Sequence, residues 1–385
     1  MKKIIIITGS RSEFGLIKPL VKKLKESKHF NARLVVTGSH LVYNHGNTYK
    51  EIEKENIKIF KKIKINNINI NKNKNLTIGS IVKGLDEFYK FFLKAKPDLV
   101  IIPCDRYEML GPAFASFFLN IPIAHLFGGE TSYGSQDETI RHVLTKISTY
   151  HFVTHKLHRK RVVQMGEDKK RVFLVGNMTI DNILSTDLYR INEIKKKIEF
   201  RTDKKNIIVT FHPITNIPKE TYRQFKNVIS ALKKIKNVNI IFTSPNQDEG
   251  NQIIIGMIKK FISKNENANF YTSLGHKLYF SVLKNIDCVI GNSSSALSEA
   301  PFLGALSINV GNRQKFRVQP GRVVNVEAKS NKIEKKKNFI LNKKKKSKII
   351  DKAYLKRGAT MKIVKILKKP NLKMRVVKKF SDLKF

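Results

Sequence analysis

Cysteine, acidic residues and long apolar runs are all scarce in this chain, and each scarcity excludes a class of protein. Only Cys104 and Cys288 are present, far apart in the sequence. They support neither a disulfide framework nor a metal knuckle, and we expect both to be buried as small apolar side chains. No apolar run is long enough to span a bilayer, and Ile4–Ile7 is far shorter than the apolar region of a signal peptide. The sequence therefore predicts a cytoplasmic protein with no membrane partner.

The shortage of acidic residues leaves a large positive charge. Lysine and arginine number 75 against 30 acidic residues, which gives a formal charge of +45. Such a charge is typical of proteins that bind polyanions. Here, however, the excess is spread along the chain, and the densest runs, Lys335–Lys337 and Lys343–Lys348, lack the interleaved aromatics of RNA-binding segments. We expect solvated basic faces with no dedicated nucleic-acid partner, and a positive field that helps to recruit an anionic small substrate.

The chain is long enough for two domains with real cores, since it has 385 residues of which 41% are hydrophobic. Short apolar strands alternate with helical patterns from Lys3 to Val175, and a second series runs from Asn206 to Val310. This alternation predicts an α/β fold with two doubly wound Rossmann-like domains facing a cleft. The expected boundaries are 1–182 and 183–355, followed by a C-terminal helix and tail over 356–385.

The periodicity places the individual elements. The first series is predicted to contain strands Lys3–Thr8, Leu34–Thr37, Asp98–Ile102, Ile123–His125 and Tyr150–Val153, and helices Phe14–Lys25, Ile78–Ala95, Leu110–Phe118 and Thr139–Ser148. The second is predicted to contain strands Asn206–Phe211, Val238–Phe242, Cys288–Ile290 and Leu306–Val310, and helices Ile191–Phe200, Lys219–Lys234, Asn251–Lys264, His276–Lys284 and Ser295–Phe302. Irregular structure is expected over Asn56–Asn75 and 326–350, a last helix over Lys356–Lys368, and a weakly ordered tail from Pro370.

Two turns between a strand and a helix have the pattern of anion-binding sites. Arg11 follows the first strand in TGSRSEFG, where the next helix presents free N–H groups; a plain helix cap is the alternative. In IGNSSSALSEA, Ser293 and Ser294 lie between a buried strand and a predicted helix, where hydroxyls and the helix N-terminus can hold a diphosphate. Arg313, in GNRQ, offers a further fork for phosphate.

Glu299 is expected a turn or more into the helix that follows Ser293 and Ser294. Its carboxylate could accept hydrogen bonds from ribose hydroxyls. The alternative is a serine N-cap followed by a solvated glutamate.

The candidate acids and bases share a position at strand ends. Asp105, Glu130 and Asp137 each fall after a predicted strand or at a helix start, and His212 follows the strand in FHP. In a parallel α/β sheet, ligands sit outside the carboxyl ends of the strands. Each residue alone fits a structural role, but the shared position favours chemistry.

Ten motifs occur in one order along roughly Met1–Val326: TGSRSEFG, VTGSHL, HGNTYKEI, DRYEML, HLFGGE, DETIRHVLTKIS, VVQMGED, FHPIT, IGNSSSALSEAP and INVGNRQKFR. Together they resemble the hydrolysing UDP-N-acetylglucosamine 2-epimerase family and its relatives that act on diacetamido sugars. The resemblance implies a fold of the glycosyltransferase B type, with sugar chemistry in the first domain and UDP held mostly by the second. It also implies that the last helix packs on the first domain and that no metal or redox cofactor is required.

The resemblance also implies a reaction. A base removes the C2 proton while UDP leaves C1, and water then adds to the resulting glycal with inversion at C2. The products are UDP and a free sugar of the N-acetylmannosamine type, used for nonulosonic (sialic-type) acid synthesis. Its implied main catalytic carboxylates are Asp105 and Asp137, with His212 near the leaving diphosphate.

The remaining implied residues bind the substrate. Their expected roles are neutralisation of the diphosphate by Arg11, Arg106, Ser293, Ser294 and Arg313, a ribose contact from Glu299, loop orientation by His125, and substrate or UDP binding by Arg141.

Two positions depart from the family pattern. Cys104 stands where members have glycine, in the GDR motif, and is expected to tighten that turn. Phe127 stands where members have Glu or His in H-x-[EH]-G-G-E, and phenylalanine cannot transfer a proton. Either Glu130 takes over, or the remaining carboxylates suffice, or the enzyme is slow or altered in substrate. A Phe127 ring that faces the sugar would favour a 6-deoxy sugar.

Other functions stay open. The alternatives are a 2-epimerase of a UDP-diacetamido-6-deoxy sugar of the legionaminic acid type, a UDP-sugar glycosyltransferase of the same fold, and a non-catalytic nucleotide-binding or nucleic-acid-binding protein. The sequence does not fix the oligomeric state, and a homodimer or homotetramer is open.

Overall fold

A computed structural model describes most of the chain. It covers residues 1–43, 46–65, 76–133, 135–214, 217–246, 248, 250–321, 323–341, 351–352, 354–369 and 376–383. The chain divides into two compact units. Unit 1 comprises 1–130, 137–182 and 356–385, and unit 2 comprises 131–136 and 183–355.

The described strands are short and mostly buried. In chain order they are β1 (Lys2–Thr8), β2 (Phe30–Val36), β3 (Ile59–Lys62), β4 (Leu99–Pro103), β5 (Ile123–Leu126), β6 (Tyr150–Val153), β7 (Val172–Leu174), β8 (Lys205–Thr210), β9 (Val238–Thr243), β10 (Ala268–Tyr271), β11 (Cys288–Gly291), β12 (Leu306–Val310) and β13 (Val323–Val326).

The described α-helices alternate with these strands. They are α1 (Arg11–Glu26), α2 (Tyr49–Lys54), α3 (Leu76–Ala95), α4 (Leu110–Phe118), α5 (Gln136–Ile147), α6 (Lys156–Gln164), α7 (Met178–Leu184), α8 (Ile191–Lys195), α9 (Pro218–Lys233), α10 (Asn251–Ile262), α11 (Gly275–Asn285), α12 (Glu299–Phe302), α13 (Ser330–Leu341) and α14 (Ala359–Lys368). None of the helices in the described part of the chain has both the length and the apolar character needed to cross a bilayer.

Each unit contains one sheet whose described pairings are all parallel. The strand order is β3-β2-β1-β4-β5-β6-β7 in unit 1 and β10-β9-β8-β11-β12-β13 in unit 2. The order reverses between β1 and β4 in the first sheet and between β8 and β11 in the second. In open α/β sheets, these switch points are where ligands bind. The loops after β1 and β4, and those after β8 and β11, therefore lie at the two positions that favour sites.

The central strands bury both faces, as parallel sheets do. Ile4 and Ile6 of β1 belong to a core with α1 and α14, whereas Ile5 and Ile7 belong to a second core with α3 and α4. In unit 2, the side chains of β8 divide in the same way, with α9, α10 and α13 on one face and α8 and α11 on the other. This explains why β1 and β8 are continuous apolar runs without polar alternation.

One glycine is required by the second switch point. Gly291 ends β11 at φ +147°, and a Cβ there would collide with the carbonyl oxygen of Thr210 at the end of β8. Only glycine allows the two strand ends to approach this closely. The next residue, Asn292, consequently lies against the loop that follows β8.

Several predicted elements differ from the structure. The short elements α2, α7, β3, β10 and β13 were not predicted. β3 contradicts the irregular structure expected over Asn56–Asn75, of which 66–75 lie outside the described residues. Its sequence is lysine-bearing and mostly exposed, as edge strands often are, so it lacks an apolar signal. The helix predicted over Ile191–Phe200 ends at Lys195, because Ile198 and Phe200 pack into the core of unit 2 instead.

The C-terminal predictions also need correction. The surface connection predicted over 326–350 is wrong for α13, which buries Ile333 in the core of unit 2; 342–350 lie outside the described residues. The last helix begins at Ala359 and packs Ile363 and Leu367 against α1. The weakly ordered tail is wrong for 376–383, since Lys378 donates to the buried carboxylate of Glu167 and to the Ser148 carbonyl. Residues 370–375 lie outside the described part.

Candidate active site

A buried arginine binds two carboxylates and a backbone carbonyl in unit 1. Arg141, on α5, is 1% exposed, and its Nη2 donates to Asp105 in the loop after β4. Its Nη1 donates to the Glu138 carboxylate and to the backbone carbonyl of Glu130, each over 3.0 Å. Burial alone lowers the pKa of Arg141, but Asp105 and Glu130 outweigh burial and raise it. A permanent positive charge therefore holds the ends of β4 and β5 to one helix.

The loop that carries Asp105 is fixed by a hydrogen bond from a histidine on β5. His125 is fully buried on β5, and its Nε2 lies 2.7 Å from the carbonyl oxygen of Cys104. Burial lowers the pKa of His125 to about 4, so the ring is neutral near pH 7 and its Nε2–H donates to that carbonyl. Cys104 has φ +59°, a left-handed conformation that favours glycine. Hence glycine, which the resemblance implies at this place, suits the backbone better than cysteine.

Phe127 packs into the core of unit 1. Its φ is +68°, it is 8% exposed, and its side chain belongs to the apolar core that contains Leu126 and Phe152. Its burial does not favour the hypothesis that the Phe127 ring forms an aromatic surface against the sugar.

Glu130 contacts a pair of residues that the sequence did not reveal. Its Oε1 accepts a hydrogen bond from Thr154 Oγ1 at 3.4 Å and lies 3.9 Å from His158 Nδ1. Thr154 Oγ1 and His158 Nδ1 are themselves 2.7 Å apart. Gly129, at φ +78°, allows this approach, because a Cβ there would collide with the His158 carbonyl. Thr154 directly follows β6, so the strand-end rule that selected Asp105 could have found it.

Asp137 lies in the first turn of α5 and is half-buried. A carboxylate there is favoured by the helix dipole. Glu138, which the sequence did not single out, binds Arg141 and lies 3.4 Å from His142 Nε2. The sequence pattern that could have revealed Glu138 is its position three residues before Arg141, which places both side chains on one helix face.

At the switch point itself, the loops after β1 and β4 bring two more acids together. Ser10 caps α1 by accepting the Glu13 N–H, and Glu13 Oε2 accepts the Gly9 N–H at 2.8 Å. Burial raises the pKa of Glu13 to about 8, and the neighbouring Glu108 carboxylate adds to this. Arg106 forms an ion pair with the buried Glu108, Nε to Oε2 at 3.1 Å.

Arg11 is the first residue of α1, directly after the serine cap. Burial lowers the pKa of its guanidinium, while the Glu51 carboxylate opposes the shift. The helix cap weighed as the alternative for this turn is present and is made by Ser10. Arg11 is therefore not the capping residue, and it lies at the N-terminus of α1.

In unit 2, an asparagine aligns His212. The His212 N–H donates to Asn292 Oδ1 at 2.6 Å, and Asn292 Nδ2 donates to the His212 carbonyl at 2.9 Å. The Asn246 N–H donates to His212 Nδ1 at 3.0 Å, so the proton of the neutral ring is on Nε2. Asn292 is the first polar residue of the NSS motif, and its role was not predicted.

The serine motif lacks the helix expected after it. Ser293 caps a single 3₁₀ turn over Ser294–Ala296 by accepting the Ser295 N–H at 3.3 Å. The α-helix begins only at Glu299, which accepts from Ser298 Oγ, and it has four residues. The predicted helix over Ser295–Phe302 and the position of Glu299 inside it are therefore wrong. Serine side chains that bond to nearby backbone compete with helix formation.

Asn292 also orders the arginine loop of unit 2. Its carbonyl oxygen accepts from Arg313 Nη1 at 3.3 Å and from Gln314 Nε2 at 2.7 Å. Arg317, further along, donates from Nε to the Thr131 carbonyl at 2.6 Å. Asn292 thus links the loops after β8, β11 and β12 through its side chain and its backbone carbonyl, and these loops carry His212, the serines and Arg313.

The fold defines the class of protein. The parallel sheets confirm the predicted α/β fold with two doubly wound Rossmann-like units. An S. aureus structure described as a MnaA–UDP co-structure superposes with a TM-score of 0.79, covers 100% of both chains and is 20% identical. At that identity the likeness shows the fold alone, which is of the glycosyltransferase B type.

The chain belongs to the UDP-N-acetylglucosamine 2-epimerase family, whose model matches residues 22–368. A Campylobacter jejuni relative, the GDP/UDP-N,N′-diacetylbacillosamine 2-epimerase (hydrolyzing), is 37% identical over 85% of this chain and 84% of its own. The Legionella pneumophila UDP-N,N′-diacetylbacillosamine 2-epimerase (hydrolyzing) is 33% identical over 85% of each chain. The resemblance inferred from the motifs is confirmed.

Proposed function

We propose that this protein is a hydrolysing 2-epimerase of a UDP-linked 2-acetamido sugar, at once a hydrolase and an isomerase. The observation that carries the proposal is the buried Arg141, which binds the Asp105 and Glu138 carboxylates and the Glu130 backbone carbonyl, in a chain of the 2-epimerase family. The names of the C. jejuni and L. pneumophila relatives support the hydrolysing reaction.

The chemistry needs a base, an acid and a stabilised leaving group. A carboxylate removes the proton from C2 as the C1–oxygen bond to UDP breaks, which leaves a glycal and UDP. Water then adds its oxygen to C1 while a proton returns to the opposite face of C2. We assign these transfers to Asp105 and Asp137, with Glu130 in the place that Phe127 cannot fill. Arg141 acts on Asp105 as a positioning residue, because it is buried and bound to protein groups.

Stabilisation of the departing diphosphate is assigned mainly to unit 2. His212 presents Nε2–H as a donor because its Nδ1 is occupied by the Asn246 N–H. Arg313, Ser293 and Ser294 supply further charge and hydroxyl groups, and Glu299 is proposed to hold the ribose. Donors that are fixed before the reaction stabilise developing charge without the cost of reorganisation.

In unit 1, Arg11 is proposed to contribute to the diphosphate from the N-terminus of α1. Arg106, by contrast, is paired with Glu108, and we propose that it holds the loop after β4.

The relatives favour a diacetamido sugar as the substrate. Both name N,N′-diacetylbacillosamine, whereas UDP-N-acetylglucosamine is the substrate in the name of the family model. We propose that UDP-N,N′-diacetylbacillosamine is turned over with the higher kcat/KM and that its free 2-epimer serves nonulosonic acid synthesis. UDP-N-acetylglucosamine is the second candidate.

The test is to supply each UDP-sugar without any acceptor and to follow UDP release and sugar products by NMR. The proposal predicts equal amounts of UDP and a free 2-epimeric sugar. A glycosyltransferase would release no free 2-epimer without its acceptor, so absence of this product from both substrates contradicts the proposal.

The Asp105→Asn variant tests whether the Asp105 carboxylate takes part in the proton transfers. The amide still accepts from Arg141 but cannot take a proton, so we expect kcat to fall by about 10²-fold or more. UDP affinity, measured by calorimetry, should stay within about twofold. The matched control is Asp98→Asn, since Asp98 accepts the Lys3 N–H at the amino end of the same region and should be dispensable. Unchanged turnover in Asp105→Asn refutes the role.

A further inference from the structure

Successive backbone carbonyls in the loop after β5 each accept a hydrogen bond from a different arginine. The donor and acceptor pairs are Arg161 Nη1 and the Gly129 oxygen at 3.2 Å, Arg141 Nη1 and the Glu130 oxygen at 3.0 Å, and Arg317 Nε and the Thr131 oxygen at 2.6 Å. A guanidinium is a rigid, planar fork of N–H donors, so each of these bonds fixes a direction as well as a distance. The backbone on both sides of the Glu130 Cα is therefore held by arginine side chains.

The first of these arginines lies on the helix that also contacts the Glu130 side chain. Arg161 follows His158 by three residues on α6, so both side chains project from one face of that helix. His158 Nδ1 lies 3.9 Å from Glu130 Oε1, while Arg161 binds the carbonyl that precedes Glu130. Helix α6 thus contacts both the carboxylate of Glu130 and the backbone beside it.

Arg317 belongs to unit 2, and so does the short segment that it binds. Residues 131–136 separate Glu130 from Asp137, and they group with unit 2 although the chain on both sides belongs to unit 1. Arg317 also donates from Nη2 to the Oγ of the buried Ser132 at 3.0 Å. The segment, TSYGSQ, offers little apolar surface to bury, so such hydrogen bonds must offset the entropic cost of ordering its backbone.

The turn that carries Arg317 is itself anchored. The Arg317 N–H donates to the Gln314 carbonyl at 3.2 Å, and the Gln314 side chain donates to the Asn292 carbonyl at 2.7 Å. Arg313, in the same turn, donates to that Asn292 oxygen at 3.3 Å. A side chain that positions another group needs a fixed base of this kind.

We propose that Arg161 and Arg317 are positioning residues that fix the direction of the Glu130 carboxylate for the proton transfers. The inference rests on the proposed function, in which Glu130 shares these transfers. Misplacement of a reacting group by about 1 Å can cost about 10²-fold in rate. Because both arginines act on the protein backbone, their effect falls on kcat and not on substrate binding.

Arg317→Ala should lower kcat for release of the free 2-epimer by about 10- to 100-fold. KM and the Kd for UDP should stay within about twofold, since no contact to the substrate is removed. Arg317→Lys keeps a donor for the Thr131 carbonyl and should recover part of the loss. The matched control is Arg223→Ala, which removes an exposed arginine of unit 2 that pairs with Glu220 and should leave kcat unchanged.

A double-mutant cycle shows whether Arg317 acts through Glu130. Glu130→Gln should itself lower kcat. Addition of Arg317→Ala to that variant should change kcat by no more than about twofold, because no carboxylate is left to position. Losses that multiply in the double variant overturn the inference, and so does an unchanged kcat in Glu130→Gln.

Arg161→Ala guards against misfolding of the Arg317 variant. It removes the hydrogen bond to the Gly129 carbonyl and should show the same fall in kcat and the same lack of additivity with Glu130→Gln. Lys160→Ala, at an exposed neighbour on α6, should behave as the wild type. A wild type that releases no free 2-epimer overturns the proposed function together with this inference. A wild type that releases it no faster than both arginine variants do overturns this inference alone.

Discussion

Thr154 links two titratable side chains at the edge of the carboxylate cluster. Its hydroxyl is 3.4 Å from Glu130 Oε1 and 2.7 Å from His158 Nδ1, and it is buried. If Glu130 shares the proton transfers, this contact fixes the direction of its carboxylate. A group that acts through another in this way is a positioning residue.

Thr154→Val should therefore lower kcat with little change in KM. The methyl group fills the space of the hydroxyl but removes the hydrogen bond, whose net value of about 1 kcal/mol corresponds to about fivefold in rate. Thr154→Ser keeps the hydroxyl and should retain most of the activity. Steady-state kinetics of the two variants over a range of pH measures the difference, and equal kcat in Val and Ser variants contradicts the role of Glu130.

Glu13 gives the fold a pH dependence. Its carboxyl is buried, and its pKa in the folded state is about 8. Burial is the main cause of the rise, and the Glu108 and Asp105 carboxylates raise the pKa further, whereas Arg106 and the Gly9 N–H lower it. In the unfolded chain it titrates near its ordinary value of 4.5. The folded state thus binds this proton more tightly than the unfolded chain does. The contribution of this group to the free energy of unfolding is fully present below pH 4.5 and is lost as pH rises through 8.

Glu13→Gln should remove this dependence. The amide oxygen can still accept the Gly9 N–H, and no proton has to be retained. Urea unfolding should show that the free energy of unfolding of the variant rises progressively, relative to that of the wild type, between pH 5 and 8. Glu266→Gln, an exposed control, should run parallel to the wild type. A constant difference between Glu13→Gln and the wild type across this range contradicts the assignment.

At the scale of the element, the sequence predicts what depends on local pattern. The helix Leu110–Phe118 and the strands Tyr150–Val153 and Leu306–Val310 match their predicted bounds, since their apolar periodicity is strong. The helix after Ser293 failed because its serines bond to the backbone nearby. The helix α13 was missed because its first seven residues, Ser330–Lys336, contain three lysines and a single apolar residue, the buried Ile333.

The same limit applies to the site. Asp105, Glu130 and His212 could be selected because each follows an apolar run. Asn292 could not, because its partner His212 is 80 positions away and becomes a neighbour only when β8 and β11 pair. Arg141 was expected to bind substrate, whereas its burial against Asp105 becomes visible only when β4 and α5 are assembled.

At the scale of the whole molecule, the positive charge has a consequence for the recruitment of substrate. The formal charge of +45 creates a field that attracts an anionic molecule such as a UDP-sugar. The central claim concerns what then happens to this substrate at C2.

That claim is tested most directly by turnover in D₂O. If a carboxylate removes the C2 proton and solvent supplies its replacement, the free sugar must have inverted configuration at C2 and carry deuterium there, alongside one equivalent of UDP. ¹H NMR and mass spectrometry of the product measure both. A sugar that is released with its original C2 proton and configuration would show simple hydrolysis and would contradict the 2-epimerase assignment.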